Sequence, residues 1–222
     1  MTPDESQATS ILHRPQKLAA RFYLQKDVVQ AAHSMLGKHI VTHIDQQITS
    51  GIITDVEAYA GENDKACHAH MRKVTARNKV MYEQGGCVYA YLCYGIHTLI
   101  NIVTNDAGHA DAILIRGIEP IKGIATIKKR RHYKKHQHLT DGPGKVAQAL
   151  GVTPVYTQLS LQSDTIWIED VGITPPLNQF DKLKRVGIDY AGEDAHLLWR
   201  FKVHSSWLAD NKQKLIQSYN NQ

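Results

Sequence analysis

Asp55, Glu57 and Tyr59 fall at alternate positions of the segment DVEAY. On an extended strand they would share one face, because successive side chains point to opposite sides. Such a face makes a poor core, so it must meet solvent or line a cleft. A carboxylate there can act as a general base or stabilise a developing cation, or it can simply pair with a lysine. A second concentration of chemistry lies in YEQGGCVYAYLCYGIHTLINIVTN, with tyrosines at positions 82, 89, 91 and 94. Tyr89 and Tyr91 share a strand face, whereas Tyr94 stands beside Gly95 at a turn and protrudes. Phenylalanine or leucine would fill a core without hydroxyls to satisfy, so these rings either pack on protein or receive something else. The tip aromatic is either a plain surface residue or a wedge that fills the gap left when a nucleotide leaves a duplex.

Asn101 sits between Ile100 and Ile102, and Arg116 lies within ILIRGIEP. A buried amide costs a few kcal/mol if unpaired, so Asn101 bonds to nearby backbone or reads the edge of a ligand. Arg116 needs an anion or water. His68 and His70 lie close together in CHAH, but no Cys-x-x-Cys or His-x-x-x-His completes a usual ligand set, so no metal is expected. Cys87 and Cys93 read as small residues of a strand. The densest charge run, KKRRHYKK (Lys128–Lys135), can meet phosphates or can be an exposed helix end, where cations are favoured. DGPGKVAQAL offers backbone amides at a helix start beside Lys145, a potential phosphate cradle that partly resembles the hairpin of helix-hairpin-helix modules. Neither GxxxxGK[ST] nor GxGxxG occurs, which weakens nucleotide-cofactor folds.

The elements that must position these residues read as follows. DVVQAAHSMLG is a helix, capped by Asp27 and stopped at Gly37. KHIVTHI and ITSGIITDVEAYAG are strands joined by a turn. ENDKACHAHMRKVTARNKVMYEQGG is a loop with short helical turns. CVYAYLCYG and HTLINIVTN form a hairpin, and HADAILIRGIEP is a strand ended by Pro120. IKGIATIKKRR begins a helix with Ile121, Ile124 and Ile127 on one side. DGPGKVAQALG is a turn and short helix, DTIWIED a strand, and the remainder mostly loop with WRFKVH as a last strand. The expected fold is therefore mixed α+β, a single domain with a central antiparallel, hairpin-rich sheet flanked by short helices.

The 222 residues allow one domain with a full core, and the +5 formal charge allows a nucleic-acid partner without proving one. The N-terminus lacks an apolar stretch of signal-peptide length, and GIITDV and TLINIV are strand-sized, so no membrane association is expected. The odd count of 3 cysteines suits a reducing cytoplasm. Residues 1–16 are expected to be a flexible segment, 17–215 the domain, and 216–222 a tail.

The blocks EAYAGENDKACHA, TARNKVMYEQGGCVYAYLCYGIHTLINIVT, ILIRGIEP and DGPGKVAQALG, in this order and spacing, resemble the alkyladenine (3-methyladenine, methylpurine) DNA glycosylases. The resemblance runs from about Ala20 to HSSWLAD. It implies a monofunctional enzyme of base excision repair that removes alkylated purines, and in some members hypoxanthine, from duplex DNA. No cofactor or metal is implied, and a cytoplasmic monomer is expected. Glu57 matches the carboxylate that activates the attacking water. Arg116 matches the arginine that helps hold water and the flipped nucleotide. Tyr59 and His68 match residues that stack on or bond to the flipped base, with Tyr91 on its other face. Asn101 matches the residue that crowds the 2-amino group of guanine, and Tyr94 the side chain that wedges into the duplex. Arg77 and Lys145 are expected at phosphates. His97 and Thr98 depart from the more apolar or aromatic residues of many relatives, and the HYKKHQH insert is unusually rich in histidine. Both leave the damage range open.

Breaking an N-glycosidic bond builds positive charge on the sugar, which a carboxylate would stabilise. An alkylated purine is already cationic and leaves without an acid, whereas hypoxanthine needs a proton. A cation in an aromatic slot would gain further attraction. Two rival readings remain on the sequence: a non-catalytic module binding damaged DNA or RNA, and a small-nucleoside hydrolase.

Overall fold

The computed structural model describes residues 16–134 and 138–220. The segment expected to fray before residue 16 lies outside them, as do Lys135 of the basic run and its two neighbours in the histidine-rich insert. In chain order the elements are β1 (Gln16–Lys17), α1 (Val28–Met35), β2 (His39–Ile44), β3 (Gln47–Ala60), β4 (Val88–Cys93), β5 (His97–Thr104), β6 (Asp111–Lys122), α2 (Ile124–Arg130), α3 (Pro143–Leu150), β7 (Ile166–Asp170), β8 (Phe180–Leu183), β9 (Arg200–Val203) and α4 (Ser205–Asn220). Short 3-10 turns fill the long connection between β3 and β4.

Among the described residues the strands form one nine-stranded antiparallel sheet, ordered β1-β7-β2-β3-β6-β5-β4, with β9 also on β3 and β8 beside β9. The architecture is the mixed α+β single domain that the sequence predicts. Its spine is the 14-residue β3. Along one edge β3 pairs with β6; along the other it pairs first with β2 and then, from Asp55 to Glu57, with β9. The alternation of β3 to β6 separates two faces. Val56, Ala58, Val88, Ala90, Ile100, Ile102, Ile113 and Ile115 enter the main core, which α1, α3 and α4 cover with Met35, Leu150 and Trp207 among others. The intervening residues point the opposite way, and that second face carries the site.

Local chemistry explains several element ends. The Asp27 carboxylate accepts from the Val29 and Gln30 amides at 2.9 and 3.1 Å, which caps α1. Pro120 does not end β6, which runs on to Lys122. Pro120 faces Gly51 beside a register shift, where a missing N–H costs little. Ile121 is consequently a strand residue, and Gly123, at φ +71°, turns the chain into α2. Of the isoleucine trio only Ile127 is fully buried. The sequence reading missed β1, β8 and α4. That helix carries Trp207 and Leu215 into the core and reaches past the point where a tail was expected to begin.

Candidate active site

Registered pairing places Tyr89 (β4) opposite Asn101 (β5), Asn101 opposite Leu114 (β6), and Leu114 opposite Glu57 (β3). These four residues make a single row across four strands. With about 4.8 Å between neighbouring strands, the row spans some three strand spacings. It underlies a cavity of about 700 Å³. Arg116, Tyr59, His68, Tyr91, Asn101, Tyr94, Arg77 and Lys145 all border this cavity. Chain stretches far apart in sequence thus meet at one concavity.

Glu57 is fully buried, 0% exposed, and stands behind the cavity wall rather than in it. Its three partners form that wall. Tyr59 donates its hydroxyl to Oε2 at 2.8 Å, the Val186 amide donates to Oε1 at 2.8 Å, and Arg116 Nη1 lies 3.3 Å from Oε1. Burial pushes the Glu57 carboxyl above its ordinary range, and the Arg116 charge and the two hydrogen bonds oppose that rise. Arg116 Nε is buried with no hydrogen-bond partner. Asp55 does not join this constellation. The register irregularity between Ile53 and Val56 takes it out of the row, and it pairs with Arg200 at 2.7 and 3.0 Å.

The aromatic wall is a cluster of three rings. Tyr89 and Tyr91 stack at 5.1 Å between centroids, and His68 meets Tyr91 edge-on at 4.8 Å. His68 Nδ1 and the Tyr89 hydroxyl share a hydrogen bond of 2.9 Å. The expectation that His68 and Tyr91 lie on opposite faces of a base needs correction: their rings touch, leaving no room for a base between them. Burial first, and the nearby Arg77 charge second, lower the His68 pKa and favour the neutral ring. Asn101 donates to the Tyr89 carbonyl at 3.1 Å and still borders the cavity. His70 turns away, to the Glu62 carbonyl. Among the described residues no group of three or more His, Cys, Asp or Glu could hold a metal ion.

Both slot tyrosines already carry a guanidinium. Arg185 lies 4.8 Å from the Tyr59 ring centre, and Arg77 lies 5.7 Å from that of Tyr91. The added attraction expected for a cationic base is therefore partly taken up by the protein itself. Arg185 is held from behind, in a fully buried ion pair with Asp64. It also donates to the Ala58 carbonyl at 2.9 Å.

At the mouth, Tyr94 is 88% exposed. Its backbone is left-handed at φ +50°, in a turn closed by Ile96 N–H donating to Cys93 O. A left-handed non-glycine residue costs about 1–3 kcal/mol and persists where the surroundings or function demand it. The start of α3 forms another part of the rim. Gly142 N–H donates to the Arg116 carbonyl at 2.8 Å, tying this rim to β6. Lys145 is paired with Asp141 at 2.7 Å. In the basic run, Arg130 is spent on the Ile44 and Ala149 carbonyls and Arg131 on the Leu139 carbonyl. These contacts hold the end of α2 against the domain, and Arg131 also reaches the cavity rim.

Sequence reasoning missed Val186 and Tyr190. A backbone amide leaves no mark in a sequence, and Tyr190 sits in a stretch read only as loop. Tyr190 is 71% exposed at the rim, with its hydroxyl donating to the Ala66 carbonyl at 3.3 Å.

The model of the methylpurine-DNA glycosylase family matches residues 21–207. A candidate 3-methyladenine DNA glycosylase of Chlamydia abortus is 45% identical over 189 residues, covering 84% of this chain and 98% of the relative. Similarly named proteins of Bacillus cereus and Clostridium novyi are 39% and 36% identical, covering 92% and 99% of those relatives. These likenesses support a general glycosylase function in base excision repair. The match takes in every strand of the acid-bearing row, and the chain belongs to the methylpurine-DNA glycosylase family.

Proposed function

We propose that this protein hydrolyses the N-glycosidic bond of alkylated purines, 3-methyladenine among them, in duplex DNA, taking the damaged nucleotide out of the stack. The observation that carries the reading is the buried Glu57–Arg116 pair behind an aromatic cavity, with a donor, Arg116 Nε, still unsatisfied. A carboxylate offers about four lone-pair positions. Two positions on Glu57 accept hydrogen bonds, from the Tyr59 hydroxyl and the Val186 amide, and Arg116 lies 3.3 Å from Oε1, so a position on Oε2 remains for a water. Glu57 draws a proton from that water and opposes the positive charge growing on the sugar, as carboxylates do in glycoside hydrolysis. The base lies against the Tyr91–His68 wall, with Tyr59 as the other side of the slot, and each aromatic contact contributes about 1–3 kcal/mol. Asn101, fixed by its bond to Tyr89, crowds the 2-amino group of guanine. Lys145, at the rim, suits a phosphate of the flipped strand. Among the described residues no lysine other than the rim residue Lys145 borders the cavity, which favours water as the nucleophile over a Schiff base.

The direct test is to incubate the protein with methylated duplex DNA and look for free 3-methyladenine. A pure binding module retains DNA and releases nothing. A nucleoside hydrolase acts on free nucleosides with little dependence on salt.

Tyr94 serves as the wedge in this reading. Tyr94→Ala is expected to lower excision from duplex by roughly ten- to hundredfold, the scale of a lost unstacking contribution. Its pocket contacts are untouched. A 2-aminopurine probe beside the lesion should report less flipping, and an unchanged fluorescence signal would remove Tyr94 from this role.

A further inference from the structure

We propose that Arg77 sets the damage range by holding permanent positive charge against the Tyr91 wall, so that neutral damaged purines gain ground over cationic N-alkylpurines. The proposal rests on the glycosylase reading above and names its substrate preference. An aromatic face attracts a cation, but here each wall already has a guanidinium on it, at 4.8 Å for Tyr59 and 5.7 Å for Tyr91. A second cation at the same ring meets like-charge repulsion, which the solvent around exposed Arg77 moderates. Among the described residues the charged ones bordering the cavity are Arg77, Arg116, Arg131 and Lys145, all cationic, and no carboxylate borders it. Arg116 is offset by Glu57, Lys145 by Asp141 and Arg185 by Asp64. Among the described residues no ion pair offsets Arg77. Its charge is felt inside the slot, where it adds to burial in keeping His68 neutral.

A phosphate contact by the same side chain would behave differently, since it would serve every lesion alike. The distinguishing measurement is equilibrium binding to two duplexes of one sequence, each with a 2′-fluoro sugar that resists cleavage. One carries cationic 7-methylguanine and the other neutral hypoxanthine. Arg77→Gln is expected to shift the affinity ratio toward the cationic lesion by roughly three- to tenfold, and Arg77→Lys, which keeps the charge, to return most of that shift. Equal weakening on both duplexes, or an unchanged ratio, overturns the proposal and leaves Arg77 as a phosphate contact or a bystander. Because Arg77 is exposed on a loop, the variants should fold as the parent does. Absence of base release from natural duplexes would instead defeat the glycosylase reading, and the binding ratio would still be measurable.

Discussion

Glu57→Gln is expected to lower single-turnover base release by roughly a thousandfold or more, while binding to duplex containing an abasic-site analogue stays near that of the parent. The substitution keeps size and shape. The amide oxygen can still accept from the Val186 amide or the Tyr59 hydroxyl, so the wall survives. What disappears is the negative charge opposite Arg116 and the ability to take a proton from water. The pH profile adds a second readout. Excision through an ionised carboxylate rises as the proton leaves, and burial places that titration above the ordinary glutamate range. The acid limb of the parent's rate should therefore lie above the usual carboxylate region, and the residual rate of the variant should lack it. Equal excision rates for the two proteins would end the assignment of Glu57 as the base.

The second large effect concerns stability. Asp64 accepts from Arg185 and from the amides of Ala60 and Ala66, at 3.2 and 2.9 Å for the latter two. Asp64→Ala would leave a guanidinium buried between the rings of Tyr59 and Trp199, with its countercharge gone. Breaking one half of a buried pair costs about 3–5 kcal/mol, which for a chain of this size is a fall of roughly 6–20 °C in the unfolding midpoint. Replacing both partners with apolar residues of similar volume should recover much of that loss, because no stranded charge remains. Calorimetry on the single and double variants checks both statements. A loss below about 1 kcal/mol for Asp64→Ala would show that the pair merely fills space.

Local rules carried much of the fold into the sequence. Period-two alternation in DVEAYA and CVYAYLC marks both the core side and the acid-and-tyrosine side of β3 and β4, and Asp27 before a helical pattern marks the start of α1. The turn at Tyr94 was legible from Gly95, since glycine readily supplies the positive φ that tight hairpin turns need. What escaped was long-range or backbone in origin. The strand β8 is four residues long and depends on β9 for its existence. The sparse apolar spacing of α4 gives a helix little local signature. Arg185 finds Asp64 across 121 positions of sequence, and the Val186 amide that holds Glu57 belongs to no side chain at all. Proline at position 120 misled because its cost depends on the partner strand, here already irregular.

Glu57 stands where β3 is bonded on both edges, to Leu114 on one side and Arg200 on the other. A backbone clamped in this way has no slack with which to follow an arriving nucleotide. In the proposed reading the reshaping needed for reaction then falls on the nucleic acid, and the toll is least where pairing or stacking is already weakened. In that reading the stiffness of one strand would act as a search criterion, favouring loosened steps of the double helix over intact ones.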